Sequence, residues 1–402
     1  MSKNVKVNGV TYNGVNSVKL QAADGGEAIF YANAPTVPQE SDINFWDYDG
    51  TLLYAWTLAE LAGKTELPPL PSHDGLICQG WNWTLEDIKS VGHAVDVGAM
   101  YITDDGKTRI YIHLEKGRTS PMLGCCPNGT VTVDWGDGTT PDTLTGTSVT
   151  AVKWTPNHAY AAPGDYVITL TVDGAFGFYG TNGTNENSGL LRYASGADTR
   201  NAVYQRAISK IELGGGITIL HAACFRNVVG LRCIAVTSAI TNIAGNAFYQ
   251  CFSLTSIILS AAVVGLSAYA FANCRALARA VFSPKSCTIL DSCFNGAAAL
   301  GRIWAQQSNI ATAVFANCGG LSSFRVSSGV TSIAANAFLN CSGIKFYDFT
   351  EHTAVPTLAN ANAFSGIAAD CEIRVPASLV DTWKAATNWS TYADQIVGVS
   401  AE

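Results

Sequence analysis

The second half of the chain repeats its apolar positions with a fixed period. Phe225, Phe248, Phe271 and Phe294 are each 23 residues apart; Phe315 follows after 21 and Phe338 after another 23. Three residues beyond each Phe stand Val228, Cys251, Cys274, Ala297, Cys318 and Cys341. Six beyond stand Leu231, Leu254, Leu277, Leu300, Leu321 and Ile344. At nine and eleven come pairs such as Ile234/Val236, Ile257/Leu259, Phe324/Val326 and Tyr347/Phe349. Ile208, Ile211, Leu213, Ile217 and Leu220 fit the same register as a first copy without its Phe. A unit this short cannot bury its apolar face alone, so successive copies must stack into a solenoid with a continuous core. The nine/eleven pair predicts a short strand, and positions zero, three and six predict a short helical or 3₁₀ turn on the opposite side. The shortened interval after Phe294 predicts a local irregularity there.

Alternation elsewhere predicts more strands. YVITLTV places Val167, Thr169 and Thr171 on one side and Tyr166, Ile168, Leu170 and Val172 on the other. AMYIT (99–103) and TRIYIHLE (108–115) read as preceding strands. VKVNGVTYNGV and SVKLQAADGGEAIFYA predict a small β element over 1–34, and 57–62 predicts a short helix within a mixed region. A stacked solenoid exposes a strand edge at each end and needs caps. The segment after Cys371 supplies one: a last strand, Pro376, then a helix with Leu379, Trp383 and Ala386 on one face.

Three resemblances stand out. The consensus AFxNCxxLxxIxI, as in AFANCRALARAVF and AFLNCSGIKFYDF, resembles the BspA-like bacterial leucine-rich repeats over 202–370. The DWGDG turn (Asp134, Trp135, Gly136, Asp137, Gly138), followed by His158, Tyr160, Pro163, Gly164 and Tyr166, resembles a PKD domain. That resemblance implies an immunoglobulin-like β-sandwich used as a spacer or binding unit. The opening NGVTYxGVxSVKL before NFWDYDGTLLY looks like tail-fibre-type proteins of gut bacteriophages and prophages. The expected fold is mainly β and multidomain. It runs from a β attachment element (1–34) and a mixed region (35–97) to a PKD-like sandwich (98–175) and a linker or loop (176–201). The solenoid (202–370) and a strand-helix cap (371–402) follow.

Composition narrows the function. Charged residues are only 14% against 48% hydrophobic, so the chain has ample apolar surface to bury and disorder is unexpected. No apolar run reaches the ~18 residues of a membrane-spanning helix, and the opening lacks the apolar stretch of a secretory signal. Residues 1–201 carry 12 Lys+Arg against 22 Asp+Glu, and 202–402 carry 12 against 9. Neither half has the dense basic stripe that nucleic acid requires. Nine of the 12 cysteines fall between Cys224 and Cys371, in the periodic segment. Cysteines at one repeat position read as small buried residues rather than bridges. Without a CxxC pair, no metal site or cofactor is expected.

Asp47-Tyr48-Asp49-Gly50-Thr51 spells the DxDGT nucleophile motif of haloacid-dehalogenase-type phosphatases. That chemistry needs a buried strand in a doubly wound α/β domain, and no βαβ series follows, so a turn is expected. Asp134 and Asp137 offer too few oxygens for calcium and read as caps of their own turn. His158 is expected to pack and hydrogen-bond beside the sheet, and Cys125-Cys126 to be buried. No catalytic constellation stands out, and the chain is expected not to be an enzyme.

The repeats also predict a surface. If positions nine and eleven point inward, eight and ten point outward. Ile258, Val281 and Trp304 then stack into an apolar strip beside Arg279, Arg302 and Arg325, with Phe346 further along. Exposed apolar columns with Trp and Arg mark interaction sites, unless the N-terminal half or a neighbouring subunit covers them. The expected function is a non-enzymatic tail-fibre or receptor-binding protein located in the virion. Its N-terminus would dock on tail or baseplate proteins, within a homo-oligomer such as a trimer, and its solenoid would meet a bacterial surface glycan or protein receptor. A bacterial cell-surface adhesin is the alternative. Neither reading involves nucleic acid or membrane insertion.

Overall fold

The computed structural model describes residues 42–91, 94–180, 190–193, 205–237, 239–282, 287–303 and 307–400, together with four strands near the N-terminus. Those four form two hairpins. Asn4–Val7 pairs antiparallel with Val10–Asn13, and Ser17–Gln21 with Glu27–Tyr31.

Residues 42–103 build a small mixed sheet with two helices. Its strands lie in the order Leu52–Trp56, Ile43–Trp46, Val95–Thr103 and Leu76–Trp81, the central pair parallel. Strand alternation decides what each face meets. Ile43, Phe45, Val95 and Val97 are buried on one face with Leu61, Trp83 and Ile88. The helix Leu58–Ala62 starts at a capping box, in which Thr57 Oγ1 accepts from Glu60 N and Glu60 Oε2 accepts from Thr57 N. The strand Val95–Thr103 belongs wholly to this sheet. AMYIT therefore pairs here rather than within the following sandwich.

The sandwich strands centre on Gly164–Phe178, which lies antiparallel between Thr108–Leu114 and Pro121–Asp134, with Asp142–Thr147 beyond. Ile168 and Leu170 are fully buried with Trp135 and Val133, as the alternation of YVITLTV requires. Gly129 and Gly174 face each other with φ of +120° and +107°. A Cβ on Gly129 would stand 2.1 Å from Asp173 O, so this crossing admits only glycine. The long strand does not end where the sequence predicts a linker: it runs to Phe178, and Leu191–Tyr193 pairs with Pro121–Leu123. Residues 181–189 and 194–201 of the expected linker lie outside the described residues.

The end of that strand also starts the solenoid. Phe176–Phe178 pairs in parallel with Ile217–Leu220, so the sandwich covers the solenoid's first edge and the two share one core. Two parallel ladders follow. One contains Cys233–Ala235, Ser256–Ile258 and Arg279–Val281; the other contains Asn242–Ile243, Gly265–Leu266 and Thr288–Ile289. After the irregular copy both resume, as Ser323–Arg325, Phe346–Asp348 and Glu372–Pro376, and as Asn309–Ile310, Ser332–Ile333 and Thr357–Leu358. Between the two halves, among the described residues, the first ladder shows the bridge Arg279 to Arg302.

The repeat residues explain the turns. The Phe rings stack with centroids 5.3 Å apart from Phe248 to Phe271 and from Phe271 to Phe294, widening to 6.0 Å at Phe294–Phe315, where the interval is short. Each buried ring contributes roughly 1.5–3 kcal/mol. Asn227, Asn273, Asn317 and Asn340, two residues after a Phe, have φ near +60°, which asparagine tolerates best after glycine. The Cys column has its own reason. Thiols of Cys251, Cys274, Cys318 and Cys341 donate to the carbonyls of Phe225, Phe248, Phe294 and Phe315 in the preceding coil, at 3.0–3.1 Å. A thiol is small enough for the core and still ties coil to coil. All twelve cysteines are free.

The far end is closed by the strand Glu372–Pro376, the helix Val380–Ala385 and a parallel strand Ile396–Val399. Trp383 is fully buried, and Leu379 and Ala386 pack, partly buried, against the same core. The final strand escapes sequence reading because only Ile396 of its four residues is buried.

Candidate functional site

The outward side of the first ladder divides into a covered half and an open half. Ser256, Ile258 and Val281 are buried although they point away from the solenoid core. Ile258 and Val281 pack on Met100, with Trp46 and Tyr48 alongside. The second face of the 42–103 sheet therefore lies on these coils. Gly98 sits directly over Ile258; a Cβ there would stand 2.6 Å from Ile258 Cγ2. Asn82 ties the seam, its Nδ2 donating to Leu259 O and its Oδ1 accepting from Gly98 N.

Arg279 lies in the same seam. Its guanidinium stacks 3.6 Å over the Trp46 ring and donates to Gly50 O at 3.3 Å. Burial lowers its pKa from the usual arginine value, against the opposing pull of Asp96. Arg302 stands 3.6 Å from Asp96 Oδ1, which also accepts from Trp46 Nε1 at 2.9 Å. Trp304, the strip's expected anchor, lies outside the described residues. Ile258, Arg279 and Val281 thus meet the chain's own N-terminal part.

The open half begins with Arg325. Its Nη2 donates to Glu351 Oε1 at 2.6 Å. Phe346 is half-buried beneath Arg374, whose guanidinium lies 3.9 Å over the ring and whose Nε donates to Glu372 Oε2 at 2.7 Å. Strand register puts Arg325 beside Asp348, and Asp348 beside Arg374. The result is a shallow surface of one aromatic ring framed by paired charges, on three consecutive rungs. Sequence reasoning misses Arg374 because it lies past the last full repeat. The alternation of EIRVP continues the outward column and would have found it.

The other motifs have structural partners. Asp47–Thr51 forms the turn between antiparallel strands, with Asp47 N donating to Thr51 O, so this segment lacks the doubly wound context of a phosphatase. Asp47 is nevertheless buried, with its Oδ2 at 2.9 Å from His73 Nε2, and the rings of Tyr48, His73 and Tyr101 meet edge to face. Burial raises the Asp47 pKa, while the Tyr48 N–H and His73 pull it down. Asp134 and Asp137 cap their own turn, and Asp137 Oδ2 also meets His158 Nε2 at 2.8 Å. Here desolvation raises the Asp137 pKa but bonds from Thr139 and His158 outweigh it, so the net shift is downward. His158 stacks on Trp135, and Tyr160 donates to Trp135 O. Cys125 and Cys126 are buried.

Among the described residues no group of three or more His, Cys, Asp or Glu side chains could hold a metal ion, and no helix is long and apolar enough to cross a membrane.

Comparison with known proteins agrees with the period. The BspA type leucine-rich repeat region matches in six copies, over residues 199–310 and 308–386. Among solved structures, a leucine-rich repeat protein from Bacteroides ovatus is similar, with 14% identity and a TM-score of 0.24. That match covers 48% of this chain and 66% of the other. No curated protein matches.

Proposed function

With a solenoid of BspA-type repeats as the frame, we propose a non-enzymatic surface-recognition protein of adhesin type. Its contact face is the open half of the outward ladder. The observation that carries this reading is the aromatic-and-charge surface of Arg325, Phe346 and Arg374, left uncovered beside coils whose equivalent surface is sealed. Aromatic and arginine side chains contribute most per residue at binding surfaces. The partner is a bacterial surface glycan or protein receptor. The PKD-like sandwich acts as a rigid spacer, because it shares one core with the solenoid.

The finer reading places the protein in the virion of a phage or prophage, as a tail fibre held by its N-terminal hairpins within a homo-oligomer such as a trimer. The opening sequence supports it through its resemblance to tail-fibre-type proteins. Several copies per particle would raise avidity without strong single sites. Immunogold electron microscopy of an induced culture of the source strain, with antibody against residues 202–402, tests the carrier. Label at the tips of tailed particles is the expected result. Label confined to the cell envelope would sink the virion reading and favour a cell-surface adhesin.

A further inference from the structure

The sheet that carries the open face ends in an uncovered edge. Its strands lie in the order Ser323–Arg325, Phe346–Asp348, Glu372–Pro376 and Ile396–Val399, so the final strand is the last of the row. Edge strands present unpaired N–H and C=O groups, and proteins blunt them with charge, proline or a bulge. This strand carries none of these. Val397 and Val399 are 38% and 37% exposed, Gly398 is exposed between them, and the pairing to Glu372–Pro376 runs without a register shift. The cap helix covers the inner side, where a Cβ on Gly398 would stand 2.5 Å from Val380 Cγ2. The edge and the outward side stay open.

Hydrogen bonding decides which groups the edge offers. Ile373 N donates to Gln395 O at 2.7 Å, so Gln395 turns its backbone toward the neighbouring strand. Successive residues of a strand aim their N–H and C=O groups to opposite sides. Val397 and Val399 therefore bond inward with Gln395, while Ile396, Gly398 and Ser400 aim theirs at the open edge. Among the described residues no backbone carbonyl outside the sheet accepts from Ile396 N or Gly398 N.

We propose that this edge pairs with the same edge of a second copy of the chain, antiparallel about a twofold axis at Gly398. Val397-Gly398-Val399 reads the same in both directions, as a self-complementary contact requires. Gly398 then faces Gly398 of the second copy, and Ile396 faces Ser400. All three aim their backbone groups outward, so about six main-chain bonds close the contact. Val397 stands opposite Val399 of the second copy in the closer, non-hydrogen-bonded pairs, which covers both exposed valines. A slip of one residue would set the free groups against groups already bonded to Glu372–Pro376, so the register is fixed. The two four-stranded sheets join into one. The axis is perpendicular to that sheet, and the surfaces around Arg325, Phe346 and Arg374 come to the same side of it. Two such surfaces meeting one target gain avidity; this consequence rests on the surface-recognition reading, and the pairing itself does not. So short a strand buries less than the ~1,200 Å² of a standard interface, so the dimer is weak and concentration-dependent.

The test is sedimentation equilibrium of the full chain from about 5 to 500 μM, a range that spans weak association. The mass rises from that of one chain, 42.4 kDa, toward twice that value. Val397→Lys/Val399→Lys puts like charges across the contact and weakens the association about tenfold or more, with an unchanged melting midpoint. Should that variant melt lower, Ser400→Pro, which removes one edge-facing N–H beyond the strand, weakens it likewise. Phe346→Ala leaves the association unaltered, so failure of the pairing is distinguished from failure of the recognition reading. Assembly through the N-terminal hairpins would survive the lysine pair. A mass of one chain throughout, or equal association in the parent and in both edge variants, would overturn the proposal.

Discussion

Gly98→Ala should loosen the seam between the N-terminal sheet and the solenoid, and Ile258→Ala should relieve it. A Cβ at position 98 would stand 2.6 Å from Ile258 Cγ2 and 2.8 Å from both Cδ1 and Cγ1. Ile258 is fully buried between Gly98, Met100 and Val281, so it has little room to retreat. Overpacking of this kind costs about 1–3 kcal/mol. Restricting the unfolded chain returns roughly 0.4–1 kcal/mol of that. Ile258→Ala alone costs about 2–5 kcal/mol through lost burial and the cavity it leaves. It also removes the three carbons that the added methyl group would strike. The double variant should therefore be no less stable than Ile258→Ala by itself, a coupling of about 1–3 kcal/mol, within the range known for touching residues. Urea unfolding of the four proteins, followed by tryptophan fluorescence with a common slope, gives the cycle. Additive losses, or a Gly98→Ala protein as stable as the parent, would refute the packing of this sheet on the repeats.

Two further outcomes follow from the same geometry. In the native protein a thiol reagent should label Cys78 rapidly, Cys233 slowly and the remaining cysteines only after denaturation. Cys78 is exposed and Cys233 half-buried, while burial pushes Cys126 and Cys371 to about 11 and Cys287 and Cys341 to about 12. Rapid release of several thiols would contradict the coil-to-coil role of the Cys column. The second concerns His352, buried against Phe349 and Trp383 under the C-terminal cap, where desolvation lowers its pKa below 6.5. The unfolded chain then takes up a proton that the folded cap resists. Stability is full above pH ~6.5 and falls as pH drops from there through the folded-state value. His352→Phe should flatten that slope in melting curves between pH 7 and 5, and an unchanged slope would exclude His352 as its source.

Much of the solenoid was legible because its period leaves few choices. A Phe every 23 residues fixes the stack, and the pair at nine and eleven fixes which strand positions face inward. The short interval after Phe294 coincides with the widened ring spacing of 6.0 Å between Phe294 and Phe315. What covers the outward column was not legible. Ile258 and Val281 look alike in sequence whether they await a ligand or another part of the same chain. The local sign was Gly98, a glycine in the apolar run VDVGAMYIT, which marks close approach of another surface. Position 97/98 lies inside a strand for a related reason. VDVG and AMYIT form one nine-residue strand, and the Asp104–Gly106 turn follows it.

We propose that recognition uses the uncovered rungs. It is tested most directly by flow cytometry of fluorescent full-length protein on bacteria related to the source strain, comparing the parent with Phe346→Ala/Arg374→Ala. These side chains lie on the open face and contribute little to the core. Binding by the double variant should weaken about tenfold or more with an unchanged melting midpoint. Undiminished binding by the double variant would contradict it.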